Sequence, residues 1–167
     1  MGHINGMKLS TLAPASLALA ALATGVPQIS HAANTRACPK TPPSGEILGK
    51  PFPASERWYG SEALAVMLPP DGVWLGSGPA YHYRGKLFWW SSGYEPGQES
   101  QLKVTGRRLD AQAPPANITS AAGAYAPSLG GWAMLVAVEF PGPGCWEIAA
   151  RYLGQDLKFV VEVVATK

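Results

Sequence analysis

The residues able to do chemistry are few, and their spacing limits what they can do. Beyond the first forty positions His82 is the one imidazole, set in Tyr81-His82-Tyr83 between Pro79 and Arg84. A nucleophile–histidine–acid triad needs a serine and a carboxylate to converge on it, and no Gly-x-Ser-x-Gly elbow is present to supply the serine. Glu95 and Glu99 are the most closely spaced acids. Paired carboxylates do acid–base work on glycosides, but in the Gly/Ser-rich stretch 92–100 both are expected to be solvated. A small hydrolase around His82 with Glu95 or Glu99 is therefore the catalytic alternative, and no catalytic residue is assigned. Metal ligation fails on inventory, because one histidine and two cysteines cannot close a zinc site and no Asp-x-Asp-x-Asp run offers calcium ligands. Gly76 and Gly78 lack the third glycine and the helix of a phosphate-cradling loop. Arg107 and Arg108 point to opposite faces of a strand and make no joint anion site. No cofactor is expected.

What stands out is aromatic. Trp58, Tyr59, Trp74, Tyr81, Tyr83, Phe88, Trp89, Trp90 and Tyr94 crowd into one stretch. If 86–91 is a strand, Trp89 and Trp90 face opposite sides, so only one enters a single core. Rings with a wet edge suit sugar stacking and partner contact. Trp58, Tyr59, Trp89, Trp90 and Tyr94 are thus the candidate ligand-binding residues, unless the segment 33–56 or the long loops cover them.

The setting for these residues follows from composition. With 14% charged residues and a net charge of +2, the chain is charge-poor. A disordered tail needs more charge and fewer aromatics, and nucleic-acid binding needs more basic charge. Sixteen prolines and nineteen glycines oppose an all-helical protein. Residues 1–32 read as a signal peptide: Lys8, an apolar run from Leu9 to Val26, Pro27, then Ser30-His31-Ala32 before a cut between Ala32 and Ala33. Met1 and Met7 are both possible starts. A membrane span needs about 20 strongly apolar residues, and this run contains Pro14 and Gly25. No span is expected after cleavage, and loss of Lys8 takes the formal charge from +2 to +1. Export implies an oxidising compartment, secreted or periplasmic, where Cys38 and Cys145 pair. A lipid anchor on Cys38 is the alternative, although Thr35-Arg36-Ala37 lacks the small apolar pattern such a site has.

The body reads as short strands. Residues 33–56 form an extended Pro-rich arm tied down at Cys38. Leu64, Val66 and Leu68 alternate with Ala63, Ala65 and Met67, and Pro69-Pro70-Asp71-Gly72 is a turn. Val73–Gly76 then predicts a hairpin. Leu102 and Val104 share a face but Leu109 has the other parity, which predicts a bulge near Gly106. A short strand is expected near Asn117–Ser120, where Asn117-Ile118-Thr119 fits a glycosylation sequon by chance, with loops at 111–116 and 121–131. Trp132 to Phe140, Trp146 to Tyr152 and Leu157 to Val163 alternate strongly. About seven strands predict an all-β antiparallel sandwich over 57–167.

Gly144-Cys145-Trp146-Glu147-Ile148, Tyr152, Gly154 and Leu157-Lys158-Phe159-Val160-Val161, with Cys38-Pro39, Gly106 to Asp110 and Ala113-Pro114-Pro115, resemble a group of uncharacterised exported bacterial proteins. The resemblance covers most of 38–163 and implies an immunoglobulin-like sandwich; it brings no activity. Residues 74–94 depart from it by being longer and more aromatic. The functional expectation is an exported non-catalytic binding or interaction module. Its partner would be an unidentified protein or glycan at the cell envelope. Besides the hydrolase, the alternatives are a carbohydrate-binding module using Trp58, Trp89, Trp90 and Tyr94, and an inhibitor of an exported protease presenting loop 92–100 or 121–131.

Overall fold

The computed structural model describes residues 37–47, 50–51, 53–76 and 83–165. They form ten strands and one 3-10 turn: β1 (Arg57–Gly60), β2 (Ala65–Leu68), β3 (Val73–Leu75), β4 (Tyr83–Trp90), β5 (Lys103–Arg108), β6 (Asn117–Ile118), β7 (Ala122–Ala126), the turn Pro127–Leu129, β8 (Gly131–Phe140), β9 (Gly144–Tyr152) and β10 (Gln155–Val164). No α-helix occurs among the described residues. The first sheet runs β1-β2-β4-β8-β6 with β7 also on β8, and the second runs β3-β10-β9-β5. The six-stranded and four-stranded sheets make an all-β two-sheet sandwich. The expected all-β sandwich is thus present, with three more strands than the seven expected.

Side-chain alternation explains the layers. Leu87 and Trp89 of β4, Met134, Val136, Val138 and Phe140 of β8, Trp146 and Ile148 of β9, and Phe159, Val161 and Val163 of β10 all meet between the sheets. The first sheet also buries its other face. Trp58, Ala65, Met67 and Ala133 form a second cluster with Ile47, Ala126 and Leu129, and Phe88 and Trp90 pack against it. Cross-strand ion pairs fix register at the rims: Arg84–Glu139 at 2.9 Å, Arg107–Glu147 at 2.8 Å and Arg151–Asp156 at 3.1 Å. Each joins residues directly opposite in the pairing, and, being exposed, acts on register more than on stability.

Three local expectations are corrected. No hairpin joins β2 to β3. Pro69 and Pro70 cannot donate to a ladder, so β2 stops. Gly72 N–H closes the turn on the Pro69 carbonyl (3.0 Å), and Asp71 Oδ1 accepts from Val73 N–H (3.0 Å). The chain crosses to the second sheet, where β3 pairs parallel with β10 from Val73↔Glu162 to Leu75↔Val164. There is no bulge at Gly106 either, since β5 runs in unbroken register on β9 and Leu109 is left exposed. Gly106 admits a close neighbour instead: a Cβ there would stand 2.8 Å from that of Ala116. Segment 121–131 is not a loop, because Ala122–Ala126 pairs with Gly131–Leu135 of β8. Backbone hydrogen bonding there overrides the weak strand propensity of Gly and Ala.

The described part of the leading segment, residues 37–47, runs across both sheets. Cys38 is disulfide-bonded to Cys145, 107 residues away. Thr41 N–H donates to the Val160 carbonyl (3.1 Å), and Thr41 Oγ1 accepts from Val160 N–H (2.9 Å). Farther along, Ser44 N–H donates to the Trp58 carbonyl (2.9 Å). The arm therefore passes from β10 of one sheet to β1 of the other. Replacing both cysteines with serine is expected to lower stability by about 2–5 kcal/mol, near the upper end for so long a loop. Urea unfolding of the two proteins reads the difference, and equal midpoints would show the bond to be dispensable.

Candidate functional site

The aromatic candidates come first. Trp58, Tyr59 and Trp89 are buried, and Trp90 and Tyr94 are half-buried. Trp89 enters the space between the sheets, where its ring centroid lies 5.9 Å from that of Phe159. Trp90, of opposite parity, joins the outer cluster, and Lys50 Nζ stands 4.9 Å over its ring. Trp58 Nε1 donates to the Lys50 carbonyl (3.3 Å), and Tyr59 hydroxyl donates to the Pro69 carbonyl (2.9 Å). The arm closes over Trp58 and Trp90, while Tyr59 and Trp89 lie under the second sheet. They do not form an open stacking platform, because both faces of the first sheet are dry and the large rings fill them.

The polar candidates are spread out. Glu95 Oε2 accepts from Gln98 Nε2 (2.7 Å) within the exposed 92–100 loop, so this carboxylate braces a turn. Glu99 is exposed in the same loop. Arg107 and Arg108 bind Glu147 and Asp110 separately. These bonds hold the Glu147 and Asp110 carboxyls below the usual carboxylate range. Asn117 is exposed on β6, and Thr119 Oγ1 accepts from Ala137 N–H (3.0 Å). His82, Ala32 and Ala33 lie outside the described residues. No cluster of three or more metal-binding side chains occurs among the described residues.

Two surface features escaped the sequence reading. The first is a cleft of about 630 Å³, within the range of small-ligand sites. β2 pairs with β4 only at Ala65↔Trp90 and Val66↔Trp89. Beyond that point the proline turn carries β2 away. The gap is lined by Met67, Leu68, Pro69 and Pro70 on one side and Gly85, Lys86 and Leu87 on the other. Trp74 forms its floor. A Cβ on Gly85 would sit 2.0 Å from the Trp74 ring, so only glycine lets the indole lie against β4. Leu75, 61% exposed, stands at the mouth. Glu56 and Asp71 also line the cleft. Burial pushes the Glu56 carboxyl above its ordinary range, and it has no ion-pair partner among the described residues. The second feature is the exposed pair Tyr125 (63%) and Trp132 (45%), edge to face at 5.7 Å. It lies opposite across β7 and β8. Alternation places Trp132 on the core face; its position near the start of β8 leaves it wet.

Trp58→Ala is expected to cost about 3–5 kcal/mol, as for a large ring removed from a packed interior. Chemical unfolding measures it, and a loss under 1 kcal/mol would mean that the arm does not seal the outer cluster. Glu56 gives a pH signature. Its folded-state midpoint is raised, so its contribution to stability is full below the unfolded midpoint and is lost as pH rises through the folded one. Glu56→Gln should remove this part of the profile and raise neutral-pH stability. A Glu56 carboxyl titrating at or below the ordinary glutamate value by carbon NMR would contradict the burial.

The disulfide is a bond that oxidising, extracytoplasmic compartments permit, and among the described residues no helix is long and apolar enough to cross a membrane. In comparison with known proteins, no family model, no curated protein and no solved structure matches this chain, so the sandwich stands without a family assignment.

Proposed function

We propose that the chain is an exported, non-catalytic binding module of the cell envelope, whose ligand seats in the cleft between β2 and β4. The cleft carries this reading: an apolar floor of Leu68, Trp74 and Leu87 beside a partly buried acid with no ion-pair partner among the described residues. Apolar walls with a few converging polar groups are the usual form of a ligand site. The position also suits retention, because the floor belongs to the packed core and the disulfide-held arm runs along β1 and β10. The signal-peptide reading of residues 1–32 agrees with the compartment that the Cys38–Cys145 bond suggests, periplasmic or secreted.

A second reading, carbohydrate contact, is favoured by Tyr125 and Trp132 rather than by the buried rings. Their edge-to-face geometry leaves one ring at a time to stack on a sugar. Trp132→Ala should abolish retention on insoluble polysaccharide if that reading is correct.

A neutral apolar probe, 2-naphthalenemethanol, tests the first reading. Amide NMR shifts on titration should gather at Leu68, Trp74, Leu75 and Leu87, and Leu75→Asp should weaken binding at least tenfold. Shifts scattered over the surface, or gathered at Trp132, would remove the cleft as the site.

A further inference from the structure

The cleft has a backbone wall as well as side-chain walls. β4 is paired with β8 from Tyr83↔Phe140 to Trp89↔Met134. On its other side, β2 reaches only Trp89 and Trp90. In an antiparallel ladder, alternate residues direct both N–H and C=O to the same neighbour. Half of the polar backbone between Tyr83 and Phe88 therefore faces the cleft, and no described strand pairs with it there. Open edges of this kind are templates for another strand.

We propose that the cleft takes an extended peptide segment, which adds as a strand to the open edge of β4 with an apolar side chain over Trp74 and Leu87 and a lysine or arginine beside Glu56 and Asp71. The proposal rests on the cleft being the binding site and names its ligand class. Six residues of β4 offer an edge about 20 Å long, enough for five or six partner residues. The added strand occupies the course that β2 abandons, so its inward side chains meet the same floor that Leu68 meets. Charge selects the partner. Two acids stand on the turn side, and the partly desolvated Glu56 carboxylate has no ion-pair partner among the described residues. Lys86 lies on the facing β4 wall and disfavours a basic side chain there, so the basic residue belongs at the turn side. The proline turn also stands beside the edge as a barrier.

Binding of this type is strand addition, in which main-chain hydrogen bonds supply affinity and alternate side-chain pockets supply specificity. The probe is a fluorescein-labelled hexapeptide amide, Lys-Val-Thr-Val-Thr-Val, titrated by anisotropy against the mature, oxidised protein. Exchanging its lysine for glutamate should weaken binding at least tenfold. N-methylation of every second amide, tried in both phases, should abolish binding in one phase and spare it in the other. Glu56→Gln should reduce the lysine-over-glutamate preference at least threefold while the protein's fold, read by circular dichroism, is retained. Equal binding of both N-methylated peptides would overturn the strand geometry. Failure of all peptides while 2-naphthalenemethanol still binds at Leu75 and Leu87 would overturn the peptide and leave the binding module standing. Failure of both probes would remove the two readings together. Peptide-resistant dimers that cross-link through Lys86 would assign the edge to a second copy instead.

Discussion

A sheet that carries large apolar groups on both faces must be covered twice. β1 and β2 impose this requirement: Tyr59, Val66 and Leu68 turn toward the second sheet, while Trp58, Ala65 and Met67 turn away from it. The second sheet covers the first set. The other set is covered by Ile47 from the arm and by Ala126 and Leu129 from the chain around the 3-10 turn. The cover is largely apolar, but it closes with polar bonds: the Trp58 indole donates to the Lys50 carbonyl, and the Lys50 ammonium rests over Trp90. The disulfide holds the leading end of this arm in place, which limits the entropy gained by releasing it. Aromatic richness here is a consequence of double burial, and it accounts for rings that would otherwise suggest a contact surface.

The cleft has a different origin. Two consecutive prolines remove two ladder donors and fix two backbone angles, so the first sheet loses a strand halfway along β4. The continuation of the chain is useful to the second sheet, which gains β3 as a parallel neighbour of β10. Trp74 travels with β3 and lies against the gap that β2 leaves, resting on Gly85. Its edge-on contact with Phe140 at 5.3 Å anchors it in the shared core. A void at that position is therefore built into the connection between sheets, with its floor supplied by the same crossing that opens it.

Much of the architecture was legible in side-chain alternation. β8, β9 and β10 announce themselves through Met134, Val136 and Val138, then Trp146, Ile148 and Ala150, then Phe159, Val161 and Val163. The opposed directions of Trp89 and Trp90 followed from period two alone. The Cys38–Cys145 pairing followed from inventory. Other elements were hidden because their signals are long-range. β7 is made of Ala, Gly and Tyr and becomes a strand through bonds to β8. β1 is four residues whose partner, β2, lies across a turn without pronounced turn chemistry. The candidate site was the least legible part. No local pattern shows that Pro69-Pro70 ends one sheet's claim on the chain and starts another's. The exposure of Leu75 and Trp132 likewise depends on what fails to cover them.

The sulfur bridge also imposes an order of events. Synthesis delivers Cys38 early and Cys145 more than a hundred residues later, so the first thiol has no partner in its own chain for most of the time the polypeptide is growing. On one side of Cys145 the pairing is the local hairpin with β10, but on the other it reaches back about forty residues to β5, and folds rich in distant contacts close slowly. An oxidant reaching Cys38 too soon can join it only to another molecule. Correct maturation thus depends on timing: the thiol must remain reduced until the ninth strand emerges, and the leading segment is locked down among the last events of assembly.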